Sequence, residues 1–242
     1  MNVSLEDVNL LSRNFWSVPV VGLFYGLVAG GSFFLFNEVF SSLISAVLVV
    51  MLVHGLNRFL HFDGLIDLGD GLVATGAQEK RLAAMKDTRV GAGGVSFGLL
   101  FTLLLVSALS SLPYLLFFLP LAMEVLAKNA LLTAAALGKE REGLGSPFVR
   151  NTKRGAVVPS ALLSAALLVP VAFLTSPSSF AVSGLVVLIS IMVAASFLTG
   201  LVTSSVATRA FGCVNGDVLG ATNEIAKSVV LLTALAVLPW LL

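Results

Sequence analysis

Seven apolar runs, each close to the length that crosses a bilayer, constrain this chain more than any other feature. A spanning helix takes about 20 mostly apolar residues. The runs fall at roughly 16–36, 39–59, 93–110, 112–137, 156–175, 180–208 and 225–242. Between them there is little with which to cover a wet surface: 57% of the 242 residues are apolar and only 11% are charged. Soluble domains carry about a quarter charged residues, so a soluble globule and a disordered tail are both disfavoured. The net charge of +1 offers no basic field for nucleic acid. Cys213 is the single cysteine, which excludes an intrachain disulfide and a cysteine zinc cage. The polar start, Met1 to Asn14, lacks a basic n-region, so a cleaved signal peptide is not expected. The expected fold is all-α, a polytopic membrane helical bundle of about seven transmembrane helices, forming one domain over 1–242.

The links between the runs alternate in character. Asn37-Glu38, Ser110 to Pro113 and Thr175 to Ser179 are short and nearly uncharged. Arg58, Lys80, Arg81, Lys86 and Arg89 lie in one longer link, and Lys139, Arg141, Arg150, Lys153 and Arg154 in another. Arg209 and Lys227 flank a third, and Arg13 precedes the first run. All the cations except Lys128 thus fall on one side. The positive-inside rule then predicts a cytoplasmic N-terminus and three cytoplasmic loops, at about 58–94, 138–155 and 209–224, in a multi-pass protein of the cell membrane. Lys128 stands one helical turn from Glu124 inside the fourth run. The two read either as an ion pair that fixes packing or as groups lining a polar cavity, since intramembrane charge is costly.

The first cytoplasmic loop carries the densest chemistry: His61-Phe62-Asp63-Gly64-Leu65-Ile66-Asp67-Leu68-Gly69-Asp70-Gly71. At about 100° per residue, Asp63, Asp67 and Asp70 share an arc of roughly 60° on a helix. Anions that close repel one another unless a cation sits among them. Oxygen-only ligands suit Mg²⁺ or Mn²⁺, which complete their shells with water and substrate phosphates. His61 lies on the opposite face and shares a side with His54, so it reads as a packed or capping histidine, or as a general base.

Further along, Met85-Lys86-Asp87-Thr88-Arg89-Val90-Gly91-Ala92-Gly93-Gly94 sets two cations and three glycines at the membrane edge. Lys86 and Arg89 are suited to phosphate oxygens, and the Gly91 amide at a helix start is a candidate phosphate donor. Two more Gly-rich stretches lie on the same side. Arg141 to Phe148 includes Gly145; Asn215-Gly216-Asp217 leads to Glu224, one helix face on from Asp217. The second stretch reads as a ligand-binding loop or as an ordinary turn. The residues together point to a membrane enzyme with a cytoplasmic, metal-dependent phosphate site.

The string from His61 to Gly94 resembles the signature of the adenosylcobinamide-GDP ribazoletransferase (cobalamin-5′-phosphate synthase) family. The matching residues are His61, Asp63, Gly64, Asp67, Asp70, Gly71, Met85, Lys86, Asp87, Thr88, Arg89 and Gly91. Ser12-Arg13 with Pro19 and Gly22, Glu142-Gly143-Leu144-Gly145, and Gly216-Asp217 with Leu219-Gly220-Ala221 and Glu224 resemble its other motifs in order. Phe62 stands where the family has leucine, and Lys128-Asn129 where a Ser-Arg type of pair is expected.

The resemblance implies a Mg²⁺-dependent enzyme that joins adenosylcobinamide-GDP to α-ribazole 5′-phosphate, or to α-ribazole, and releases GMP. It implies Asp63, Asp67 and Asp70 as metal ligands, with Asp87 completing the site or orienting Arg89. Lys86 and Arg89 would face the leaving GMP. Arg13, Gly91, Lys128, Gly145 and Asn215 would contact substrate, Asp217 and Glu224 would contact the second substrate or a second metal, and an aspartate or His61 would serve as base. The substrates and membrane lipid are the expected partners, nucleic acid is not one, and a homo-oligomer is left open. Two other readings are carried: a membrane phosphotransferase using CDP-activated alcohols, and a transporter with Glu124 and Lys128 on its pathway.

Overall fold

The computed structural model describes residues 5–112, 117–143, 145–175 and 180–241. The turns expected around 113–116 and 176–179, and Leu144, lie outside the described residues. Those described are helical and contain no strand. The helices are α1 (Leu5–Arg13), α2 (Val18–Asn37), α3 (Ser42–Leu56), α4 (Leu60–Val73), α5 (Gln78–Met85), α6 (Ala92–Ser110), α7 (Phe118–Leu137), α8 (Ser146–Asn151), α9 (Val157–Thr175), α10 (Val182–Phe211) and α11 (Gly216–Val237).

Helices α2, α6, α7, α9, α10 and α11 are each long and apolar enough to cross a membrane. The chain is an integral membrane protein. Helix α3 is long and apolar enough only together with α4, to which the chain turns by 96°, so the spans number six, or seven if that bent pair counts as one. That angle carries α4 across the end of the bundle rather than further through it. The turn is made by Arg58 and Phe59, both left-handed (φ 54° and 60°), a conformation a bulky side chain adopts only when packing holds it there. The His54 and Phe59 rings stack across the turn, 5.8 Å apart.

Six helices ring the seventh. In the order α2, α3, α6, α11, α10, α9 and back to α2, each packs on the next, and α7 stands inside against α2, α9, α10 and α11. Every residue of α7 from Phe118 to Ala136 is buried. The ring helices turn Val20, Phe24, Leu99, Leu103, Leu198 and Val202 outward, as a lipid-facing surface requires. Small residues set the closest approach. Gly22, Gly26 and Gly30 form a one-turn stripe on α2 against the α7 backbone, where a Cβ at Gly26 would lie 2.7 Å from the Leu121 carbonyl oxygen. Gly26→Val should therefore lower stability in detergent by about 1–3 kcal/mol through overpacking. Gly55→Ala, whose Cβ meets nothing within 4 Å, should leave the thermal midpoint unchanged or raise it.

The structure moves one boundary substantially. The last helix begins at Gly216, not near 225, so the loop read at 209–224 shrinks to Gly212–Asn215. Asn215 is the reason: its side chain accepts the Val218 amide (3.0 Å) as an N-cap. The polar residues that follow are buried by protein, which hydropathy cannot anticipate. The other two loops also fold, one into α4 and α5 and the other around α8.

Candidate active site

Helix α4 is wedged between the first turns of α11 and α6. A Cβ at Gly64 would sit 2.6 Å from the Asp217 carbonyl oxygen, and one at Gly69 would sit 2.7 Å from that of Gly93. With glycines on those flanks, α4 packs close while its aspartate face stays open. Asp63 is exposed and Asp67 half-buried. Burial, then the charges of Asp217, Asp63 and Asp70, push the Asp67 carboxyl up to about 7. The site is thus a cluster of repelling carboxylates to which α11 adds a fourth, Asp217.

Asp70 has a second job. Its two oxygens accept the backbone amides of Gly91 and Gly94, each at 2.8 Å. These are first-turn amides of α6, so a carboxylate from α4 caps that helix from outside. The Gly91 amide is committed to Asp70 and not open to a phosphate. A Cβ at Gly91 would lie 2.5 Å from an Asp70 oxygen, which accounts for the glycine.

The basic block lies beside this face. Arg89 donates from Nε and Nη2 to the two Asp87 oxygens at 3.2 and 3.0 Å, and its own amide bonds Asp87 at 3.0 Å. These bonds hold the Asp87 carboxyl below the usual carboxylate range. Asp87 therefore orients Arg89 and does not join the aspartate cluster. Lys86 is exposed and close enough to Asp217 to act on it electrostatically. Asn215 donates to Asp217 at 2.8 Å, fixing that carboxylate while capping α11. A Cβ at Gly145 would meet the Gly216 amide nitrogen, so the α7–α8 link is docked on the same helix start. Arg13 is exposed at this end, where Asn151 donates to Ser12 at 2.7 Å and ties α1 to α8.

Three expected site residues face elsewhere. Glu224, Lys128 and His61 belong to a buried network beneath α4. Lys227 bridges Glu224 (3.0 Å) and Glu124 (3.2 Å). Lys128 donates to Asn223 at 2.5 Å and lies over the Tyr25 ring, so its partner is not Glu124. Lys227 is inside α11 and not in a loop. It takes Glu124, because the true start of α11 sinks it three turns into the bundle. His54 and His61 each approach Glu224 at 3.9 Å from either side of the α3–α4 turn. His61 thus points away from the aspartates and into the bundle. Glu124 receives no aligned hydrogen bond, and a cavity of about 10 Å³ beside it, His54 and Lys227 is close to the space one water needs.

Among the described residues no three His, Cys, Asp or Glu side chains converge on one point fit to hold a metal ion. The donor chemistry is nonetheless of the right kind. Asp63, Asp67 and Asp217 supply oxygen only, and Mg²⁺ commonly takes one or two protein carboxylates and completes its octahedron with water and substrate phosphates.

A family model described as cobalamin-5-phosphate synthase matches residues 3–236. A protein from Methanococcoides burtonii named adenosylcobinamide-GDP ribazoletransferase is 34% identical over 96% of this chain and 85% of its own length. Proteins of the same name from Methanosarcina barkeri and Syntrophobacter fumaroxidans are each 33% identical, over 100% and 93% of this chain and 88% and 87% of their own. No solved structure matches the chain.

Proposed function

Because the chain belongs to the cobalamin-5-phosphate synthase family, we propose that it transfers adenosylcobinamide phosphate from adenosylcobinamide-GDP to α-ribazole 5′-phosphate, releasing GMP. A ribazole hydroxyl oxygen forms a bond to the cobinamide-linked phosphorus. The bond from that phosphorus to the oxygen of GMP breaks, and the hydroxyl proton is lost. The product is adenosylcobalamin 5′-phosphate, or adenosylcobalamin when α-ribazole is the acceptor. The reaction belongs to the last assembly stage of cobalamin.

The single observation that carries this reading is the open carboxylate face of α4, with Asp217 beside it and Lys86 and Arg89 at its edge. Phosphoryl-type transfer depends on charge neutralisation and in-line positioning. Asp63, Asp67 and Asp217 would hold Mg²⁺, which when bound neutralises the pyrophosphate. Asp87 holds the Arg89 fork in one orientation, suited to two phosphate oxygens at once. Asp70 fixes α6 to α4 and so keeps the two halves of the motif in register. With His61 turned into the bundle, the aspartate face is left to accept the hydroxyl proton. The cation-rich end, which carries this site, is read as cytoplasmic in the cell membrane.

The test is GMP release by the protein in lipid vesicles, given adenosylcobinamide-GDP and α-ribazole 5′-phosphate, with and without Mg²⁺. Release that needs both substrates and the metal is expected. Folded protein that releases no GMP but releases CMP from a CDP-activated alcohol would replace this reading with the other phosphotransferase chemistry.

A further inference from the structure

A groove of about 510 Å³ opens between α5 and the end of α10, lined in part by Leu72, Gln78, Arg81, Val206, Arg209 and Ala210. It is separate from the aspartate site. At about 100° per residue, Leu72 lies on the opposite side of α4 from the arc of Asp63, Asp67 and Asp70. Two arginines face the groove, and among the described residues neither has a carboxylate within 4.0 Å. Arg81 is held in place by donating to the carbonyls of Leu72 and Gly76, each at 3.3 Å. That uses two of its five N–H groups and leaves the rest of the fork free. Gln78 donates to the Arg209 carbonyl at 3.1 Å, closing the end of α10 against α5.

The membrane side of the groove is equally defined. Leu198, Val202 and Val206 repeat every four residues on α10 and are 55%, 56% and 40% exposed. Arg209 follows three residues later, on the same side of the helix. The stripe runs from lipid-facing apolar surface straight up to two unpaired guanidinium groups. That order of chemistry matches an acyl chain with a phosphate above it.

We propose that this groove binds one anionic phospholipid, its headgroup phosphate on Arg81 and Arg209 and an acyl chain along Val206, Val202 and Leu198. The lipid would fasten α5 to α10, and α5 leads directly into the Lys86–Arg89 block.

Native mass spectrometry of the detergent-solubilised protein tests this, with phosphatidylglycerol or phosphatidylcholine of the same chain length added in turn. One phosphatidylglycerol should be retained in preference to phosphatidylcholine. Arg209→Gln should weaken its binding about fivefold, the contribution of one arginine near a headgroup. Arg209 is exposed and its side chain makes no hydrogen bond among the described residues, so that variant should fold as the parent does. Val206→Ser should weaken long-chain more than short-chain phosphatidylglycerol. Equal retention of the two lipids, or no change in Arg209→Gln, would overturn the proposal. So would displacement of phosphatidylglycerol by millimolar inorganic phosphate with no chain-length dependence, which would mark a free phosphate site. A dimer that excludes lipid and is split by Arg209→Gln would assign the groove to a second copy and overturn it as well.

Discussion

Replacing Asp67 by asparagine should lower GMP release by more than the roughly 10–100-fold that loss of an outer-shell partner costs a metal site, while the protein stays folded. The variant keeps the shape of the side chain and removes its charge from the centre of the carboxylate face. Stability should move the other way. The Asp67 carboxyl is pushed from 3.8 up to about 7 by burial and by Asp217, Asp63 and Asp70. A carboxylate raised in this way binds more protons folded than unfolded, so its effect on stability is unfavourable and grows as pH rises from about 4 to about 7. Asparagine has no such dependence. Above pH 7 without metal, the thermal midpoint of Asp67→Asn should equal or exceed that of the parent. Full activity in the variant would remove Asp67 from the site, and a fall in both activity and stability would make it a structural residue.

The second large effect is on stability alone. Lys227→Met leaves Glu124 and Glu224 buried without their shared cation and should cost about 3–5 kcal/mol, read as denaturant or thermal unfolding in detergent. Adding Glu224→Gln to that variant removes one stranded charge and should recover part of the loss. The exposed pair Arg150–Glu140, at 2.8 Å, is the contrast: Arg150→Gln should cost less than about 1 kcal/mol. A similar cost for both pairs would mean that the interior around Lys227 is wetter than its burial implies.

The parts of the molecule that were legible in sequence are those where one physical signal dominates. Long apolar runs located the spans, and the four-and-three spacing of Asp63, Asp67 and Asp70 put them on one face of a helix. Gly64 and Gly69 stand in the same string, but the helices they admit, α11 and α6, are visible only in the structure. What escaped the reading depends on contacts between distant segments. Lys227 read as a loop cation because its surroundings are polar in sequence, yet they are buried by α4 and α7 in space. The N-cap at Asn215 was the available signal: taken as the start of a helix and not as a turn, it carries Lys227 into the bundle. Lys128 was expected opposite Glu124 because one helix was considered alone, and a second lysine on α11 takes that partner. The two jobs of the motif aspartates were also invisible. Spacing gives Asp63, Asp67 and Asp70 the same standing, and only the packing of α6 reserves Asp70 for capping its amides.

The wholly buried α7 bears on how the protein is made. It carries Glu124 and Lys128, and a charge at the centre of a lone helix in lipid costs about 2.5–3.5 kcal/mol. The cation that serves Glu124 sits on α11, synthesised only after α9 and α10 have left the ribosome. During that interval α7 is the segment least content in lipid, sheltered on one side by the glycine stripe of α2 and open on the others. A nascent chain stopped at Phe211 therefore holds Glu124 without its cation, and arrival of α11 supplies it.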